Sequence, residues 1–160
     1  MSAEPNAAAS AEANAATGAQ GSAAPSRPMP EWLGPDAGEF YEGTRHREFR
    51  VPRCPDCRRV VWYPRAHCPY CGALELTWET LPDPVGGTVY TFTVVRRHAH
   101  PFFAARVPYV VAWVDIDDGP RVLTEVACAD VDALRVGDRV VLDWEPQEAF
   151  NLHTFVRVPS

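Results

Sequence analysis

Residues 54–72 read CPDCRRVVWYPRAHCPYCG. Two Cys-x-x-Cys pairs, Cys54/Cys57 and Cys68/Cys71, are separated by ten residues. Two residues between paired cysteines let the backbone fold into a tight knuckle that points both sulfurs at one ion. Two knuckles make a tetrahedral set of four sulfurs, an environment that suits zinc and also iron. Four thiolates leave no open position for water or substrate, so the ion is expected to be structural. The link predicts a short hairpin through Val60, Val61, Trp62 and Tyr63. Arg53, Arg58 and Arg59 are expected to offset thiolate charge, and His67 to lie beside the site rather than ligate. These features predict a small zinc ribbon over residues 49–80, with one zinc per chain.

Downstream of the ribbon the pattern changes to strands. Thr88–Val95 is β-branched or aromatic throughout, which predicts a strand with Tyr90, Phe92 and Val94 on one face. Tyr109–Ile116 predicts a second, and Asp117-Asp118-Gly119-Pro120 a turn into a third over Arg121–Cys128. Val131–Leu134 is expected to form a helical turn, followed by strands at Val140–Trp144 and Thr154–Val158. Five strands with a short helical insertion before the fourth suit a Greek-key barrel of the oligonucleotide/oligosaccharide-binding (OB) type over residues 81–160. Cys128, flanked by Ala127, Ala129 and Asp130, has no activating base and is expected to act as a small buried hydrophobe.

Upstream, Asp36 is expected to cap a short helix carrying Phe40 and Tyr41 and stopped near Gly43, within a segment of residues 36–48. A helix this short needs a docking surface, on its own ribbon or on a partner. Residues 1–35 are mostly Ala, Ser, Gly, Pro, Asn and Glu and bury too little apolar surface to offset the entropy of ordering, which predicts a disordered tail. The fold class is therefore mainly β: tail, short helix, rubredoxin-like zinc ribbon, then a five-stranded OB-fold barrel.

The net charge is −6, with arginine as the only basic side chain apart from histidine. By region it is −3 over residues 1–38 (one Arg, four acids), +1 over 39–79 (seven, six) and −4 over 80–160 (seven, eleven). A protein that neutralises many phosphates needs a basic stripe, so this distribution argues against nucleic acid. No run of about 18 apolar residues is present, which argues against a helical membrane span. The start has neither a basic n-region nor an apolar h-region, so a cytoplasmic location is expected, where paired cysteines serve metals rather than disulfides. His98, His100 and His153 accompany no nucleophile motif and no glycine-rich phosphate cradle, and the chain is expected not to be an enzyme by itself.

Taken in order, these pieces resemble a known family, the zinc-ribbon OB-fold proteins of the acyl-CoA-associated domain-of-unknown-function group. The resemblance covers residues 36–159. It rests on Phe40-Tyr41, the two knuckles, Trp78, the Gly87–Val95 strand, Pro108-Tyr-Val-Val-Ala112 and Val136-Gly-Asp-Arg-Val140. It implies a non-catalytic accessory subunit in a hetero-oligomer. The implied partner is a thiolase-like enzyme, a thiolase or an aldolase of sterol side-chain breakdown, or else a hot-dog-fold acyl-CoA hydratase. The Arg97–Phe103 stretch is richer in His and Phe than the family pattern.

A coenzyme A thioester has a polyanionic nucleotide end, a planar adenine and a thin arm, and calls for a few arginines, an aromatic face and a narrow channel. The Arg96–Arg106 loop supplies Arg96, Arg97 and Arg106 with two histidines and two phenylalanines. These arginines are the expected acyl-CoA contacts, with packing on a partner protein as the alternative role of the loop. Two other readings carry distinct tests. A single-stranded nucleic-acid module would show salt-dependent binding to single-stranded DNA or RNA. A rubredoxin-like iron electron carrier would be coloured.

Overall fold

The computed structural model describes residues 25–30 and 34–159. A single 3₁₀ turn, Pro35–Ala37, leads into α1 (Gly38–Arg45). Strands β1 (Arg50–Arg53) and β2 (Thr77–Thr80) pair antiparallel and enclose the knuckles between them. The chain continues through β3 (Gly86–Val95), the one-turn α2 (Pro101–Ala104), β4 (Tyr109–Ile116), β5 (Arg121–Ala127), β6 (Arg139–Pro146) and β7 (Asn151–Arg157). The last five strands close a barrel in the order β3-β4-β5-β7-β6, with β6 returning to β3 and the β5–β7 pair parallel. The mainly β architecture, a ribbon followed by a five-stranded barrel, is the one expected.

Alternation along β4 and β5 turns Val110, Ala112, Val114 and Ile116 inward against Val122 and Val126. Phe155 and Leu134, both fully buried, complete the barrel core. That core does not stop at the barrel: Phe49 and Val51 beside and within β1 belong to the same apolar cluster as Leu81, Val85 and the barrel valines.

Several local expectations are corrected. Asp36 sits in the 3₁₀ turn and does not cap α1, whose first residue is Gly38 and whose cap position has no side-chain hydrogen bond. Gly43 lies inside α1 and is buried. A Cβ there would stand 2.7 Å from Cγ of Arg50 and 2.9 Å from the Glu48 carbonyl, so close approach of the next segment, not helix termination, requires glycine. Phe40 is buried and unavailable to a partner, because α1 docks in cis. Its ring meets Phe49, Trp62 and His153 edge-on at 5.3–5.7 Å, while Tyr41 packs on Phe150 at 4.9 Å. Asn151 Nδ2 donates to the Thr44 carbonyl at 2.7 Å, which ties the helix end to β7.

In place of the 60–63 hairpin there is a single bridge, Arg53 to Val60. The face assignment along β3 holds only in part. A register shift between Val89 and Thr91 puts Gly87 and Val89 inward before it and leaves Tyr90 exposed, after which Phe92 and Val94 face the core. Val131–Leu134 forms turns rather than helix. The short α2 was not expected; His100 caps it through Nδ1, accepting from the Phe102 amide at 3.3 Å, with Pro101 at its start.

The disordered tail expected over residues 1–35 lies only partly within the described residues. Residues 1–24 and 31–33 lie outside the described residues. Residues 25–30 are described, and Arg27 lies against the barrel. Among the described residues no helix is long and apolar enough to cross a membrane.

Candidate metal centre and the loop beside the barrel

Both knuckles share one backbone design. The Arg58 amide donates to the Cys54 carbonyl at 2.9 Å and the Cys54 amide to the Arg59 carbonyl at 3.0 Å. The second knuckle repeats this with Gly72 to Cys68 at 3.0 Å and Cys68 to Ala73 at 2.8 Å. The residue after each second cysteine takes a positive φ, 60° at Arg58 and 81° at Gly72. Glycine adopts this conformation freely, whereas Arg58 does so at a steric cost.

The design brings the four sulfurs within 4.8 Å of one another. Cys54 and Cys71 sulfurs are 3.5 Å apart, Cys57 and Cys68 sulfurs 3.6 Å. A tetrahedral ion with metal–sulfur bonds of about 2.3 Å spaces its sulfurs about 3.8 Å apart, so the cage fits such an ion. The electrostatics agree. Burial pushes the Cys68 thiol up, but the amides of Tyr70 and Cys71 aimed at its sulfur outweigh this and bring it down to about 7. At Cys71 the Ala73 amide favours the thiolate, yet the crowding sulfurs of Cys54, Cys68 and Cys57 prevail and push it up to about 12. Four thiols in contact cannot all lose protons unaided, and a divalent cation is what would let them. Cys54 and Cys68 are fully buried with Val61, whereas Cys71 faces solvent.

His67 is exposed. Arg53 is engaged elsewhere, donating to Glu79 at 2.7 Å and to the Arg58 carbonyl at 2.8 Å, and Arg59 lies over the Tyr70 ring at 4.9 Å. Cys128 is half-buried against the barrel core, where burial pushes its thiol up. Both this packing and the raised thiol argue against a thiolate nucleophile at this position.

The expected acyl-CoA arginines bracket the β3–β4 connection but do not converge. Arg96 pairs with Asp132. Arg106 faces the other way, its Nη1 3.3 Å from Glu145 and its Nη2 3.8 Å from Glu125, with the guanidinium over Phe102 at 5.1 Å. Arg97 is exposed and makes no ion pair among the described residues. The hydrogen bonds of His98 and His100 are spent inside the loop, the His100 amide donating to His98 Nδ1 at 2.9 Å. Beside Arg106 an open groove of about 480 Å³ runs between Tyr109, Val126, Cys128, Trp144 and Glu145. Sequence reasoning missed Glu125 and Glu145, which belong to strands β5 and β6 and meet Arg106 only through the barrel's closure.

Comparison with known proteins agrees with this geometry. Residues 42–77 match the family model described as the ChsH2 rubredoxin-like zinc ribbon domain, and residues 78–145 the ChsH2 C-terminal OB-fold domain. A solved chain titled Ltp2-ChsH2(DUF35) aldolase is 31% identical with a TM-score of 0.69, covering 81% of this chain and 98% of that one. A probable enoyl-CoA hydratase alpha subunit of Thermomonospora curvata is 33% identical over 118 residues, 74% of this chain. The present chain spans only 35% of that subunit's length. A DUF35 domain-containing scaffold protein of Methanothermobacter thermautotrophicus is 31% identical over 91 residues, 55% of this chain and 65% of that protein. The ribbon, the barrel and the likeness over nearly the whole of a solved relative show that the chain belongs to the ChsH2-type, or DUF35, family of zinc-ribbon OB-fold proteins.

Proposed function

We propose that the chain is a non-catalytic, zinc-binding accessory subunit in the cytoplasm that assembles with a thiolase-like acyl-CoA enzyme, a thiolase or aldolase, and helps form its acyl-CoA site. The observation that carries this reading is the match over 98% of the chain in the solved Ltp2-ChsH2 aldolase, whose title pairs a DUF35 protein with a second component. A likeness to a hydratase alpha subunit supports a hot-dog-fold acyl-CoA hydratase as the other partner class. Steroid or other lipid thioesters are the corresponding substrates.

Within this reading the four cysteines hold zinc, which would join the two knuckles and fix the ends of β1 and β2 without taking part in chemistry. The loop from Arg96 to Arg106 faces the route of the partner's acyl-CoA. Arg97, the one of the three with no acid partner among the described residues, is suited to a phosphate, and the groove beside Arg106 has apolar walls at Val126, Cys128 and Trp144 for the thin arm. Arg96 and Arg106 would have to exchange Asp132, Glu125 or Glu145 for the ligand.

Co-expression with thiolase-like and hydratase candidates from the same genome tests the assembly. A stable complex with one zinc per accessory chain, colourless, and acyl-CoA turnover only in the complex is the expected result. Sustained turnover by the purified lone chain overturns the accessory role, and a red protein carrying iron overturns the zinc assignment.

A further inference from the structure

Residues 25–30 read Pro-Ser-Arg-Pro-Met-Pro. Each proline holds its own φ near about −65° and drives the residue before it away from helical backbone, so Arg27 and Met29 are extended before any contact forms. The segment has no helix or strand, yet the Arg27 side chain is only 11% exposed. Its guanidinium carbon lies 5.2 Å from the centroids of both Phe102 and Phe103. Those rings stand 5.1 Å apart at 89°, forming two walls of a corner. Nη1 donates to Glu125 and Nη2 to Glu145, each at 2.8 Å, while Nε has no acceptor.

The chemistry of this corner selects a guanidinium. Two carboxylates set apart on β5 and β6 need a forked donor, and two ring faces need a flat, weakly hydrated cation; an ammonium supplies neither shape. Glu125 and Glu145 are 22% and 24% exposed, and their other cation, Arg106, is 42% exposed and at longer range. Two carboxylates against Arg106 alone leave one uncompensated negative charge, and Arg27 brings the cluster to neutrality.

We propose that the corner of Phe102, Phe103, Glu125 and Glu145 is a peptide-binding site for a proline-rich segment bearing one arginine, filled in cis by residues 25–30. The segment is a strap, and a second chain that offers an arginine to this face must displace it. Prolines reduce the ordering cost of such a segment, and the arginine supplies its specificity. Tethering gives the strap an effective concentration on the order of millimolar, which a free peptide must overcome. This inference stands independently of the acyl-CoA reading.

The test uses the full chain carrying Arg27→Ala, which vacates the corner, and a fluorescent peptide of residues 22–31 followed by anisotropy. Saturable binding at least about tenfold tighter than to the unaltered chain is expected, as is a loss of about tenfold or more when the peptide carries Arg27→Lys. Adding Glu125→Gln, or Glu145→Gln should the first variant fail to fold by circular dichroism, should weaken binding to a similar degree. Absence of saturable binding to the Arg27→Ala chain, or equal affinity for the arginine and lysine peptides, overturns the proposal.

Discussion

Lowering the pH from 7 to 4 should weaken the fold through one imidazole. His153 on β7 is wedged edge-on between Phe40 of α1, at 5.7 Å, and Phe49 before β1, at 5.6 Å. Burial lowers its pKa from 6.5 to about 4, and a hydrogen bond to the Leu123 main chain opposes this without reversing it. The folded chain therefore keeps the ring neutral where the unfolded chain takes up a proton. Because the folded value is depressed, stability is fully present above about pH 6.5 and is lost as pH falls toward about 4. A difference of about 2.5 units at about 1.36 kcal/mol each gives about 3 kcal/mol, a substantial share of a typical domain's stability. Urea unfolding of the unaltered chain and of His153→Phe at pH 7, 5.5 and 4.5 measures it. Proton uptake by the cysteines and carboxylates affects both chains alike, so the difference between the two curves isolates the imidazole. Between pH 7 and 4.5, which stops short of the folded value, the unaltered chain should lose about 2.5 kcal/mol more than the variant. Parallel curves, or a native-state imidazole that titrates near its ordinary value by NMR, would refute the reasoning.

Two further outcomes are expected. Gly72→Ala should destabilise the metal-loaded chain by about 1–2 kcal/mol, read as a lower urea midpoint, because φ is 81° and a Cβ there meets nothing within 4 Å, leaving a cost that is torsional alone. In the assembled complex, Arg97→Ala should raise the apparent KM for acyl-CoA about tenfold while leaving that for a pantetheine thioester without nucleotide phosphates unchanged, since one charge-assisted hydrogen bond contributes about 1.5–3 kcal/mol. Equal weakening of both substrates, or dissociation of the subunits, would make the loop an interface element instead.

The parts of this molecule legible in the sequence are those fixed by local spacing. Cys54, Cys57, Cys68 and Cys71 announce a cage because two intervening residues dictate the knuckle, and β4 announces itself because Val110, Ala112, Val114 and Ile116 alternate without interruption. What stayed hidden depends on distant segments. Gly43 looked like a helix stop, yet its role comes from Arg50 passing over it. The register shift after Val89 lies in the pairing of β3 with β4, which no period-two pattern within β3 encodes. Arg27 was one cation in a polar tail, and its acceptors lie 98 and 118 residues away on separate strands. The α2 turn was within reach, since a polar residue followed by proline at His100-Pro101 is a helix-start signal.

Phe49 and Val51 serve two masters: they lead the chain into the first knuckle and also fill the cluster shared with the barrel valines. Loss of the ion would therefore not confine itself to a frayed ribbon but would loosen the floor of the barrel as well. On the accessory-subunit reading proposed above, a cell short of zinc would hold less of this chain, and a partner enzyme with no zinc of its own would fall in activity with it. Metal supply would in that way act on acyl-CoA turnover through protein abundance rather than through chemistry.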